Sequence, residues 1–226
     1  MKQLALGLAR PPAPTLDNFV PGRNAEVVAA LRAVARPAPA EHFVYLWGGE
    51  GCGKSHLLAA LAAEYASTGT GIAHAPDQAA LARVDVAVAE QGLVVDDVHK
   101  LDAAAQSALF TLYNAVREHG GVLVAAGDAP PAALGLRSDL VTRLGWGLVY
   151  QVHALSDDEK AAALLEHAHA RGMPLPREAV DYLLARQSRD LRHLMTLLDA
   201  LDRYSLETKR AITVPLVREL LAGDTR

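Results

Sequence analysis

The octapeptide Gly48-Gly49-Glu50-Gly51-Cys52-Gly53-Lys54-Ser55 sets the reading of the whole chain. It follows the apolar run Phe43-Val44-Tyr45-Leu46-Trp47 and leads into Leu57, Leu58, Leu61 and Ala62. That order is strand, glycine-rich turn, helix, and the turn fits G-x-x-x-x-G-K-[ST], the P-loop pattern. Glycines let backbone N–H groups curl inward around phosphate oxygens without a Cβ in the way. The following helix adds its unpaired N–H groups and the positive end of its dipole. On this reading Lys54 reaches the β- and γ-phosphates of a nucleotide, and the hydroxyl of Ser55 ligates Mg²⁺.

Beyond the turn, residues 55–65 read as helix, 72–75 as a short strand and 81–89 as helix. Leu93-Val94-Val95-Asp96-Asp97-Val98 is then an apolar strand ending in two carboxylates. The roughly 40 residues after Lys54 hold helix, strand and helix, the spacing of a parallel α/β sheet. Ligands in such sheets bind beyond the carboxyl ends of the strands, so Asp96 is expected to face the phosphate loop and hold Mg²⁺. Asp97 is a candidate for polarising an attacking water; its plainer reading is a helix cap or a surface acid. A helix over 103–119, a strand over 121–128, a helix over 137–144 and a strand over 147–152 follow. Asp128 ends its strand where it could contact the γ-phosphate region or the attacking water, or serve as an ordinary loop-start aspartate.

The pattern then changes. Ser156-Asp157-Asp158-Glu159 has the form of a capping box, and helical periods continue without a strand through 157–171, 177–186, 188–205 and 214–221. At the other end, 25–35 reads as a helix closed by Pro37 and Pro39. The expected organisation is a tail over 1–14, an α/β nucleotide-binding domain over 15–153 and a small all-helical domain over 154–226. In the tail, Leu4, Leu6 and Leu8 either form a short linear motif for a partner's pocket or lie on the protein's own core.

Composition narrows the classes. A net charge of −4 and the lack of any Lys/Arg run give no general polyanion-binding surface. The one cysteine, Cys52, cannot form an internal disulfide, which suits a reducing cytosol. No apolar run approaches the ~18 residues of a membrane span, and Gln3 and Arg10 leave the N-terminal apolar piece too short for a signal peptide. The expectation is a soluble, cytoplasmic protein with no membrane partner. His167 and His169, two apart on a helix, do not share a face and make poor metal partners.

A P-loop, an acidic pair, a polar strand end and then a helical lid is the layout of AAA+ proteins. Phe19-Val20-Pro21-Gly22-Arg23-Asn24 resembles the opening motif of the bacterial replication initiator DnaA and its relatives. Arg137-Ser138-Asp139-Leu140-Val141-Thr142-Arg143-Leu144-Gly145-Trp146-Gly147 resembles the family segment ending S-R-x-x-W-G, and Ser188-Arg189-Asp190-Leu191-Arg192 resembles the lid helix that carries the sensor 2 arginine. The resemblance covers nearly the whole chain, including Gly172-Met173-Pro174-Leu175-Pro176 and Ile212-Thr213-Val214-Pro215. It is strongest to the short DnaA-related regulatory inactivators, the Hda family.

That resemblance implies an AAA+ αβα domain with a helical lid. It implies ADP or ATP with Mg²⁺ as cofactor, ADP being the working ligand, held by residues 48–55 with Val20, Asn24, His56 and Arg192. His56 by itself reads as packing against the domain. The resemblance assigns Arg143 as an arginine finger offered to another subunit's γ-phosphate, with Asp97 and Asp128 as further catalytic residues; the plainer readings are a salt bridge for Arg143 and a surface arginine for Arg192. Implied partners are DnaA and the sliding clamp of DNA polymerase III, its β subunit, reached through Gln3, Leu4, Leu6 and Leu8. DNA is touched only through the clamp, and a homo-oligomer is compatible with the motifs. The initiator's C-terminal DNA-binding domain has no counterpart before Arg226, which implies a regulator. Two departures stand out. Asp128-Ala129-Pro130-Pro131 lacks the arginine usual after the sensor aspartate. Asp97 stands where many AAA+ ATPases have glutamate, and the shorter reach implies slow hydrolysis by this chain itself. The rival functions are an autonomous AAA+ ATPase, such as a helicase or protein loader, and a non-enzymatic adaptor tethered to the clamp.

Overall fold

The computed structural model describes residues 12–186 and 190–223. Gln3, Leu4, Leu6 and Leu8 lie outside the described residues. The chain forms two compact units, Ala13–Ala154 and one beginning at Leu155.

The first unit is built on a five-stranded parallel sheet. Its strands are β1 (Phe43–Trp47), β2 (Ala73–Ala75), β3 (Gly92–Val95), β4 (Val122–Gly127) and β5 (Leu148–Gln151), in the spatial order β2-β3-β4-β1-β5. β1 is therefore flanked on both sides, with Val44 opposite Val124 of β4 and Leu148 of β5. The helices of this unit are α1 (Ala25–Val34), α2 (Lys54–Ser67), α3 (Gln78–Leu81), α4 (Val86–Ala89), α5 (Ala103–His119) and α6 (Ser138–Leu144). Successive strand residues point to opposite faces, and both faces are covered. Val44, Leu46, Val94 and Val124 pack with Leu31 of α1 and with Leu57, Leu58 and Leu61 of α2. Tyr45, Leu93, Val95 and Leu123 pack with Leu109 and Leu112 of α5 and with Leu140 and Leu144 of α6. Two buried faces are why these strands read as unbroken apolar runs rather than alternating ones.

Where local polar groups outvote periodicity, the structure departs from expectation. The single helix expected over 81–89 is two short ones. Asp77 accepts from Ala80 N at 2.7 Å and Asp85 from Ala87 N at 2.9 Å, so each aspartate caps and restarts a helix. Val98, expected in a strand, begins a 3-10 turn at Val98–Lys100.

The second unit is all helical: α7 (Asp157–Ala170), α8 (Arg177–Arg186), α9 (Leu191–Thr208) and α10 (Val214–Gly223). The capping box forms. Glu159 N donates to Ser156 Oγ at 3.2 Å, while Ser156 N donates to Glu159 Oε2 at 2.7 Å. Leu164, Leu183, Leu197, Leu201 and Leu216 close a separate core. α9 starts later than expected because the Asp190 side chain caps it, accepting from Arg192 N at 2.9 Å. No helix of the described residues is long and apolar enough to cross a membrane.

One buried amide fastens the start of the first unit to its end. Asn24 is 2% exposed, donates to His153 O at 2.8 Å and accepts from His153 N at 2.7 Å. Asn24→Ala leaves both backbone groups without that partner, and is expected to lower stability by about 1–3 kcal/mol. Urea unfolding followed by circular dichroism reads this as a lower midpoint; an unmoved midpoint would show that the amide clasp carries nothing.

Candidate functional site

The site lies at the carboxyl ends of β1, β3 and β4. β1 runs into the Gly48–Ser55 turn, which can pass so close to its surroundings only with glycine at particular positions. A Cβ on Gly48 would lie 2.3 Å from Val152 O, and one on Gly53 would lie 2.7 Å from the Phe19 ring. Gly51 (φ 72°) and Gly53 (φ 102°) adopt left-handed backbone, open to glycine at no steric cost. Among the described residues, the N–H groups of Gly49, Glu50 and Gly51 donate to no other group of the chain. Successive free amides ahead of a 14-residue helix form a concavity suited to an anion.

Lys54 is 9% exposed and folds back into this loop. Its Nζ donates to Gly48 O at 2.7 Å, to Gly49 O at 3.0 Å and to Cys52 Sγ at 3.7 Å. Ser55, next in the first turn of α2, is exposed. His56 sits beside the strap leading into α1: its Nε2 meets Thr15 O at 3.1 Å and its ring lies 5.5 Å from that of Phe19. Val20 is half-buried in that strap, and Asn24 has both amide atoms committed to His153.

At the end of β3, Asp96 is 5% exposed. Its backbone N–H extends the sheet to Ala75 O at 2.9 Å, and its Oδ1 accepts from Asp97 N at 2.8 Å. Asp97 is left-handed, with φ 53°, and its Oδ2 accepts from Lys100 Nζ at 2.7 Å. That hydrogen bond, then the Asp97 charge and the smaller fields of Asp96 and Glu50, raise the Lys100 pKa. Beyond β4, Asp128 Oδ2 lies 3.9 Å from His99 Nε2. The Tyr45 hydroxyl donates to Ala129 O at 2.8 Å, and burial, followed by the charge of Asp128, pushes its pKa far up.

Arg143, in α6, is half-buried and held by neutral groups. Its guanidinium carbon stands 3.9 Å from the centre of the Phe110 ring and 5.7 Å from that of Trp146. Nε donates to Asn114 Oδ1 at 3.2 Å, and one terminal N–H group donates to Asp139 O at 3.4 Å. Among the described residues no carboxylate pairs with it, whereas neighbouring Arg137 pairs with Asp139 at 2.8 Å. Trp146 is 54% exposed, with Arg117 against its ring at 4.9 Å. Arg192 belongs to the second unit, in the first turn of α9.

The family model of the bacterial DnaA ATPase domain matches residues 12–73 and 78–151. This chain belongs to the DnaA family. The model described as "Hda, lid domain" matches residues 157–221, so the DnaA-related AAA+ unit is followed by a lid of Hda type. Domain III of DnaA from Thermotoga maritima is similar at a TM-score of 0.71 and 23% identity, over 93% of this chain and 96% of that one. AMPPCP-bound DnaA from Aquifex aeolicus is similar at 0.71 and 21%, over 88% and 70%. A Thermotoga maritima RuvB Holliday junction branch migration motor shares the fold at 0.65 and 20%, over 92% and 71%.

Within this AAA+ unit the structure brings together residues 48–55, Asp96, Asp97 and Asp128 at one edge of the sheet, and sets Arg143 on α6. Sequence reasoning missed Lys100 and the group around Arg143. Phe110 and Asn114 are four apart on α5, so they share a helix face, but that they meet Arg143 shows only once α6 is seen to pack there. Phe19 was quoted for its motif and missed as the ring that caps Gly53.

That ring gives a test. Gly53→Ala must hold an L-residue in left-handed backbone, at about 1–2 kcal/mol, and must also displace Phe19. Thermal unfolding should show a lower Tm for Gly53→Ala, and adding Phe19→Ala should recover only the part due to the clash. Equal Tm values for wild type and Gly53→Ala would contradict this geometry.

Proposed function

We propose that this protein is a regulator of replication initiation that activates ATP hydrolysis on DnaA rather than turning over quickly itself. An adenine nucleotide, ADP in the working state, occupies the 48–55 loop, where Lys54 and the free amides meet its phosphates. Ser55 and Asp96 hold Mg²⁺ with it. Phosphate oxygens and waters would complete that site, as Mg²⁺ sites with one or two protein ligands do. Val20 and His56 would border the nucleotide from the strap, and Arg192 is the lid residue assigned to it. Support comes from the free amides, from the family and from the AMPPCP in the names of two similar DnaA structures. Docking is through Gln3, Leu4, Leu6 and Leu8 on the polymerase III sliding clamp, with DNA reached through the clamp. The protein acts in the cytoplasm.

The observation that carries this reading is the state of Arg143. A guanidinium held by a ring, an amide oxygen and a carbonyl has no carboxylate against it among the described residues, so no neighbouring negative charge offsets its field. Half-buried at 3.9 Å from Phe110, it is also oriented in advance, so little side-chain freedom is lost when it meets a neighbour's phosphates. There it would offset the charge that develops on the γ-phosphoryl oxygens as the bond to ADP breaks. Arginine fingers supplied by a partner are worth about 10³–10⁵ in rate. Asp97 and Asp128 are the groups that would serve any hydrolysis on this chain's own nucleotide.

The test is single-turnover hydrolysis of ATP pre-bound to DnaA, with this protein, clamp and DNA each omitted in turn. Arg143→Ala is expected to remove the stimulation, by about 10³-fold or more, while ADP affinity and clamp binding stay intact. Stimulation that survives Arg143→Ala but is lost with the four tail residues would identify a tethering adaptor instead. Turnover on the isolated chain that falls with Arg143→Ala would identify an autonomous ATPase.

A further inference from the structure

Asp97, the carboxylate that the proposed function assigns to an attacking water, is already engaged. Left-handed backbone at Asp97 and the 3-10 turn Val98–Lys100 fold the chain back on itself. Lys100 N donates to Asp97 O at 2.9 Å, and Lys100 Nζ donates to Asp97 Oδ2 at 2.7 Å. A non-glycine residue in this region is uncommon, though aspartate tolerates it better than most. The ammonium also lies in the fields of Asp96 and Glu50, and its raised pKa keeps it protonated at neutral pH. The side chains of Lys100 and Asp97 are 66% and 36% exposed, and an exposed pair of this kind adds little to stability. Its consequence is electrostatic and local.

We propose that Lys100 is a positioning residue that restrains hydrolysis on this chain by engaging the Asp97 carboxylate. In hydrolysis a water oxygen bonds to the γ-phosphorus while the bond from that phosphorus to the β–γ bridging oxygen breaks. ADP leaves with the electron pair, and the water's proton passes through a carboxylate to solvent. A carboxylate oxygen that already accepts from an ammonium at 2.7 Å is turned away from other donors. The restraint rests on the reading of 48–55 as a nucleotide site. It goes beyond that reading by naming the side chain that slows turnover of ATP by this chain itself, and it adds to the short reach of aspartate.

The experiment is steady-state ATP hydrolysis by the full chain in Mg²⁺, with ADP affinity measured separately by calorimetry. Lys100→Ala is expected to raise kcat about two- to fivefold, the most that releasing an exposed ion pair can return, with KM unchanged. Lys100→Arg, which preserves the pair, keeps turnover low. In Lys100→Ala/Asp97→Asn the gain disappears, which a merely structural effect of Lys100 would not produce. Unchanged or lower kcat in Lys100→Ala overturns the proposal, as does a gain that persists in the double variant. A higher KM and weaker ADP binding in Lys100→Ala also overturn it, showing that the lysine serves the phosphates directly. ADP binding without any gain defeats the role of Lys100 alone, whereas no ADP binding by the wild type defeats the nucleotide reading as well.

Discussion

An ammonium group inside its own loop is the interaction on which the site depends. Lys54 has three N–H donors, and the loop supplies three acceptors, Gly48 O, Gly49 O and Cys52 Sγ. None of the three carries a formal charge in the thiol form, so a cation that is 9% exposed is satisfied in number but not in charge. Phosphate oxygens would add the attraction of opposite charge, which the carbonyls and the thiol cannot supply. The same constraint accounts for the glycines. A loop wound this tightly brings Gly48 against Val152 O and Gly53 against Phe19, where a side chain would force the winding open. β1 at the interior of the sheet, paired on both sides, holds the loop's first residue in place.

Around that loop the charges are handled in two ways. At the end of β3, Asp97 has a counter-charge three residues along, in Lys100. On α6, no carboxylate among the described residues pairs with Arg143; its neighbours include Phe110, Asn114 and a carbonyl. A paired acid beside the loop and an arginine without a carboxylate among the described residues are what the proposed trans-acting role needs. The lid, of Hda type by its family match, has its own core and its own capping signal, Ser156 with Glu159, consistent with a unit that folds largely on its own contacts.

Much of the architecture could be read from residue order because its signals are local. The strand before Gly48 and the helix after Ser55, the apolar run ending at Asp96 and the box at Ser156 each declare themselves within a few residues. The broken helix between residues 78 and 89 did not, since alanine-rich periodicity hid two aspartate caps that cost little to form and decide the outcome. In the site, Lys100 was illegible because its pairing needs a left-handed Asp97, a conformation that residue type permits but does not require. The setting of Arg143 was illegible for a different reason: Phe110 and Asn114 lie about thirty positions away, and only the packing of α6 on α5 brings them together.

The most direct test of the loop as a nucleotide site is calorimetric titration of ADP and Mg²⁺ into the full chain, beside Lys54→Ala. The account predicts saturable one-to-one binding by the wild type, and a large loss of affinity in Lys54→Ala without loss of fold. The absence of saturable heat with the wild type, or equal affinity in the two proteins, would contradict it.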